Sequence, residues 1–153
     1  MANKQQHFDL LHYKEEILIG NSSYLSRAIT LGESTLDSHR QQIQELLLEL
    51  MPHTGASIRV GVSGIPGAGK STLIERLGTY LIEEFHLKVA VLTIDPSSEL
   101  NHGSILGDKT RMSEISKNEN TFIRSTPSRG SLGGVSFGTR EAAIILDSAG
   151  YDF

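Results

Sequence analysis

Nine consecutive residues, Gly64-Ile65-Pro66-Gly67-Ala68-Gly69-Lys70-Ser71-Thr72, have the types and spacing of a loop that grips phosphate. The pattern is G-x-x-x-x-G-K-[ST], whose glycines let the backbone curl until successive N–H groups point inward at phosphate oxygens. A helix opening at Lys70 would add the positive end of its dipole. Lys70 would then reach the β- and γ-phosphates of a nucleoside triphosphate, and the Ser71 hydroxyl would take a place on Mg2+. A glycine turn before a helix can also arise with no ligand, so the flanks matter. Ile58-Arg59-Val60-Gly61-Val62-Ser63 alternates apolar with small or polar residues, as a strand does, while Leu73, Leu77, Tyr80, Leu81 and Phe85 recur at helical spacing. Strand, loop and helix thus follow in the order that phosphate binding requires.

Two carboxylates and a serine-rich stretch are further candidates. Asp95 closes an apolar run and precedes Pro96-Ser97-Ser98, which would put its carboxylate at the carboxyl end of a parallel strand, near Mg2+ or its waters. The same Asp-Pro-Ser-Ser also reads as a plain turn. Asp108 lies in the glycine-flanked stretch Gly103 to Met112, beside Lys109, Thr110 and Arg111. That stretch is either a loop that closes over a γ-phosphate or an ordinary polar loop. Ser125 to Gly134, with Arg129, reads first as a solvated loop and second as a segment that orders around a ligand. His7, His12, His39, His53, His86 and His102 show no i, i+4 pairing, so no histidine-built metal site is expected.

The elements that must position these residues divide the chain at about residue 57. Residues 1–57 read as a helical prefix, with helices over 9–19, from Ser22 or Ser23 (as the cap) through Leu31, and from about Ser34–Asp37 to a stop at Pro52. Its stripe of Ile43, Leu46, Leu47, Leu50 and Met51 is expected to pack on a sheet rather than serve as a free partner-binding helix. Residues 58–153 read as α/β, with a strand over 58–63, a helix over 70–86 and an apolar strand, Lys88 to Ile94, covered on both faces. Parallel pairing of the two strands across that helix would make a βαβ unit. A short helix over 110–117, a short strand over 121–124 and a helix over 140–149 follow.

The bulk numbers suit one domain with a real core: 153 residues, 38% hydrophobic and 21% charged. A net charge of −4 gives no broad basic field for nucleic acid or an anionic membrane, so a ligand's charge must be met locally. The absence of cysteine excludes disulfides and thiolate metal sites. With no apolar signal core at its start, the chain is expected in the cytoplasm.

Taken together, these residues resemble the ArgK/MeaB family of P-loop GTPases. The resemblance rests on Ala28-Ile29-Thr30-Leu31-Gly32-Glu33-Ser34, the loop Gly64 to Thr72, Asp95-Pro96-Ser97-Ser98, Gly103 to Met112, Ser128 to Val135 and Thr139-Arg140-Glu141. Gly103 to Met112 is its most specific part. The resemblance implies a P-loop NTPase fold with a doubly wound, mainly parallel sheet. It implies GTP and Mg2+ as ligands, with Lys70 and Ser71 as phosphate and metal contacts and Asp95 and Asp108 in a mobile switch near the metal. It further implies a chaperone role toward a cobalamin-dependent acyl-CoA mutase and a homodimeric whole protein, while from the charge no nucleic-acid or membrane partner is expected. Asn101-His102 before Gly103 and Ser136-Phe137-Gly138 before Thr139 depart from the family pattern.

Family members continue from the equivalent of Tyr151-Asp152-Phe153 into a strand, an acidic metal-site segment, an Asn-Lys-x-Asp element that reads guanine, and a dimerisation region. The expectation is therefore an N-terminal portion of the GTPase domain that ends before the later strands. On that reading the 153-residue chain alone would bind nucleotide weakly and hydrolyse little of it. Two other readings stay open: a kinase or ATPase linked to lysine/arginine/ornithine transport, and a truncated nucleotide-binding module without turnover.

Overall fold

A computed structural model describes residues 8–95, 112–127 and 137–153. Three helices come first: α1 (Leu10–Leu18), α2 (Ser22–Gly32) and α3 (Asp37–Leu50). The Asp9 side chain caps α1 by accepting from His12 N, and the Asn21 side chain caps α2 by accepting from Ser23 N. The cap of α2 is therefore Asn21, and the two serines expected in that role lie inside the first turn. Pro52 cannot donate an N–H, and α3 tightens there into a single 3₁₀ turn, Met51–His53.

Next come α4 (Lys70–Phe85), β1 (Val89–Asp95), a 3₁₀ turn at Ile115–Lys117, β2 (Thr121–Pro127) and α5 (Phe137–Ser148). β1 and β2 pair in parallel, in register from Val89 opposite Thr121 to Asp95 opposite Pro127. The apolar character of β1 follows from its position between two layers. Val89 and Val91 join Ile82, Met112 and Ile115 on the α4 side. Ala90 and Leu92, pointing the other way, pack against a larger cluster.

That larger cluster explains the prefix. Ile17, Leu25, Ala28, Ile29, Ile43, Leu46 and Leu50 bury themselves with Ala142, Ile145, Leu146 and Ala149 of α5 and its end, with Phe122 and Tyr151 at its margin. The apolar stripe of α3 thus packs on α1, α2 and α5 rather than chiefly on the sheet as expected, its last member Met51 is exposed, and α5 is the layer between prefix and strands. Ala143, next to Ala142 on the same helix, is only half-buried.

The run 58–63 departs from expectation. It is not a strand among the described residues, and Ile58 and Val60 are 61% and 57% exposed. Its backbone is tied to the rest of the fold by a bond from Ile58 N to the Asp152 carbonyl at 2.8 Å. The reason is geometric: Asp152 and Phe153 lie between this run and β1, with Ala90 N donating to the Phe153 carbonyl at 2.8 Å. The parallel partner of β1 is β2, and the expected pairing of β1 with 58–63 across α4 is not made. The short helix expected over 110–117 is a turn and a 3₁₀ segment within 112–117, residues 110 and 111 lying outside the described residues, while β2 runs three residues beyond its expected end.

Candidate phosphate-binding site

The site is built at the amino end of α4. Gly67 and Gly69 hold φ at +80° and +85°, a region that side-chain-bearing residues rarely occupy. A Cβ at either position would meet nothing within 4 Å, so the turn of the backbone, and not crowding, calls for glycine there. Gly69 is the N-cap of α4, and no side chain bonds to that cap among the described residues. The N–H groups of the first turn are therefore left to a ligand, at the end of the helix where the dipole favours an anion.

Lys70 folds back across the loop. Its Nζ donates to the Gly64 carbonyl at 2.8 Å and the Ile65 carbonyl at 2.9 Å. The ammonium is thus held over the concave side of the loop on two neutral acceptors that a phosphate oxygen would outcompete by charge. Lys70 and Ser71 are half-buried, whereas Ile65 is 76% exposed at the rim. Pro66, Ala68 and Thr72 are likewise exposed, as expected for a loop that meets its ligand by backbone.

The backbone of β1 puts Asp95 at the carboxyl end of the parallel pair, the end at which such sheets take ligands. A short connection returns the chain from the far end of α4, at Phe85, to the start of β1, at Val89. Asp108, with the rest of 103–111, lies outside the described residues, as do 96–98 and 128–136. The structure therefore brings together Gly64, Ile65 and Lys70, and places Asp95 by its backbone.

Four features escape a sequence reading. Asp147, on the last turn of α5 with its side chain 1% exposed, accepts from Gly55 N at 2.9 Å, Ala56 N at 3.3 Å and Ser57 N at 3.2 Å, and from the Arg59 guanidinium at 2.8 Å. Burial by itself would raise the Asp147 carboxyl; the hydrogen bonds from Gly55, Arg59 and Ser57 outweigh it and hold the group below the ordinary aspartate value. Arg124 on β2 pairs with Glu33 at 2.6 Å and bonds Thr30 at 3.1 Å, tying the end of α2 to the sheet. The Glu75 carboxylate of α4 accepts from Glu114 N at 3.0 Å. Gly78 of α4 sits against Ile115 with no room for a Cβ. None of these pairings has a local spacing that would announce it.

Comparison with known proteins fits this geometry. The family model described as methylmalonyl Co-A mutase-associated GTPase MeaB matches residues 25–153. A probable GTPase of Mycobacterium tuberculosis is 54% identical over 133 residues, covering 87% of this chain and 39% of that protein. GTPase ArgK of Escherichia coli is 49% identical, covering 87% of this chain and 40% of that protein. The mouse protein named methylmalonic aciduria type A homolog, mitochondrial, is 42% identical, covering 99% of this chain and 39% of that protein. The chain thus spans about two-fifths of the length of these relatives. A crystal structure of an LAO/AO transport system kinase superposes with a TM-score of 0.75 at 34% identity, over 99% of this chain and 42% of the other. By its phosphate loop, its α/β fold and a family match across most of its length, the chain belongs to the MeaB family of methylmalonyl Co-A mutase-associated GTPases.

Proposed function

We propose that this chain forms the phosphate-gripping portion of a cytoplasmic GTPase that acts as a chaperone for a cobalamin-dependent acyl-CoA mutase, its whole protein working as a homodimer. The observation that carries the reading is the loop Gly64–Thr72, held open to a ligand at the uncapped end of α4 in a chain matched by a mutase-associated GTPase family. The relatives' names supply the guanine nucleotide and the mutase.

Phosphoryl transfer to water asks little covalent chemistry of a protein and much positioning. The loop amides and the amino end of α4 hold the phosphate chain, and Lys70 leaves its two carbonyls to neutralise charge on the β- and γ-phosphates. The donor set suits Mg2+, a hard ion that takes one or two protein oxygens beside phosphate and water: the Ser71 hydroxyl stands on the first turn of α4, and Asp95 ends the neighbouring strand. When bound, the ion would offset charge on the transferring phosphate. Asp108 belongs to this set as a switch carboxylate, on the strength of the motif that contains it.

Calorimetry with GTP and Mg2+, together with GTP turnover, tests the reading on the whole protein. Lys70→Ala should abolish productive binding and turnover; unchanged affinity and unchanged hydrolysis would reject it. The likeness to an LAO/AO transport system kinase favours one second reading, phosphorylation of a protein or small molecule. That reading predicts a phosphorylated product formed as fast as nucleotide is lost.

A further inference from the structure

The geometry points to Asp147 as a positioning residue for the phosphate loop, an anionic peg that fixes the root of the chain segment presenting Gly64–Thr72; this rests on the phosphate-loop reading above. Asp147 belongs to neither the loop nor its flanking helix. It stands on the last turn of α5, yet the four groups that donate to its carboxylate all fall within Gly55–Arg59. Three successive N–H groups point at one carboxylate, and the turn that aims them begins at Gly55, whose φ of +105° disfavours any other residue.

Among the described residues, the segment beyond this root has few other holds. From Ile58 to Ser63 it is exposed, and the backbone bond from Ile58 N to the Asp152 carbonyl goes to the same tail of α5. That tail also fixes the start of β1, since the Asp152 carboxylate accepts from Lys88 N at 2.8 Å. The last turn of α5 and the tail that follows it therefore set where both chain segments leave toward the ligand-bearing end of the sheet. A side chain buried this fully and bonded to three consecutive amides has little freedom to move, so the direction of 58–63 is inherited from α5.

The variant to make is Asp147→Asn, which keeps the size and removes the charge. Arg124→Ala is the comparison variant: it breaks a half-buried ion pair elsewhere and touches neither 55–59 nor the loop. Two measurements are made on folded protein, with circular dichroism confirming the fold at the working temperature. One is the affinity for a non-hydrolysable GTP analogue with Mg2+. The other is the distance distribution between spin labels on Val60→Cys and Leu48→Cys, both exposed positions in a chain without native cysteine.

Asp147→Asn should broaden or shift the distances and weaken the analogue roughly five- to thirtyfold. Arg124→Ala should do neither, even where it lowers the melting temperature as much. Unaltered distances in Asp147→Asn, an unaltered affinity, or the same losses in Arg124→Ala would each overturn the proposal. If Lys70→Ala binds the analogue as well as the native protein does, the phosphate-loop reading fails, and the spin-label distances still decide whether Asp147 is the peg.

Discussion

Gly78→Ala tests how tightly α4 is fitted to the turn that precedes β2. A Cβ built on Gly78 falls inside the van der Waals envelope of Ile115 Cδ1, with Ile115 Cγ1 at 3.5 Å and Val89 Cγ1 at 3.7 Å. Ile115 is 2% exposed and Val89 3%, so neither has open space to retreat into. Overpacking of this kind costs about 1–3 kcal/mol, against which alanine returns at most about 1 kcal/mol of helix propensity over glycine. The net expectation is a loss of up to about 2 kcal/mol, or up to roughly 6 °C in melting temperature for a chain of this size. Ile115→Val removes the offending Cδ1 and by itself should cost about 0.5–1.5 kcal/mol. In that background the added methyl has room, and Gly78→Ala should be neutral or stabilising. Urea unfolding of the native protein, both single variants and the double variant closes the cycle. If Gly78→Ala stabilises the native background, or costs as much in the Ile115→Val background as in the native one, the packing argument is wrong.

Acid should weaken the Asp147 peg. Its folded-state pKa lies below the ordinary aspartate value of 3.8, so its contribution is present above that value and is lost as pH falls through the folded value. Urea midpoints taken between about pH 2 and 5 should show this acid limb flattened in Asp147→Asn. Arg124→Ala leaves the Glu33 carboxylate, 13% exposed, without its cation, and should cost about 2–3 kcal/mol. Glu33→Gln combined with Arg124→Ala should cost less than Arg124→Ala alone, and thermal melts of the two distinguish a stranded charge from lost packing.

Much of the fold is legible because its signals are local. The glycine pattern of Gly64–Thr72 and the helical spacing after it locate the loop and α4, and the near-continuous apolar run from Val89 to Ile94 announces a strand covered on both faces. What is not legible depends on neighbours distant in sequence. The run 58–63 has a strand's pattern, but a strand exists by pairing, and Asp152 and Phe153 stand where its neighbour is expected. The cap of α2 differs from expectation by a residue because Asn21, Ser22 and Ser23 are all good caps, and only the backbone angles select among them. Asp147 is hidden from a sequence reading because it sits in a helix end, about ninety residues from the amides it holds. Of the candidate site, the phosphate loop can be read from glycine and lysine spacing alone, whereas Asp95 needs the strand's end to give it a place.

The single thickness of β1 has a consequence for how the molecule comes apart. Its odd residues Val89 and Val91 belong to the α4 cluster and its even residues Ala90 and Leu92 to the prefix cluster, so the two clusters share one backbone. A slip of one residue would exchange the two sets, sending leucine where valine fits and valine where alanine does. Register is thereby locked from both sides, and loosening either layer frees the other to slide. The helical prefix and α4, on opposite faces of β1, should lose protection from solvent exchange together, as one cooperative unit.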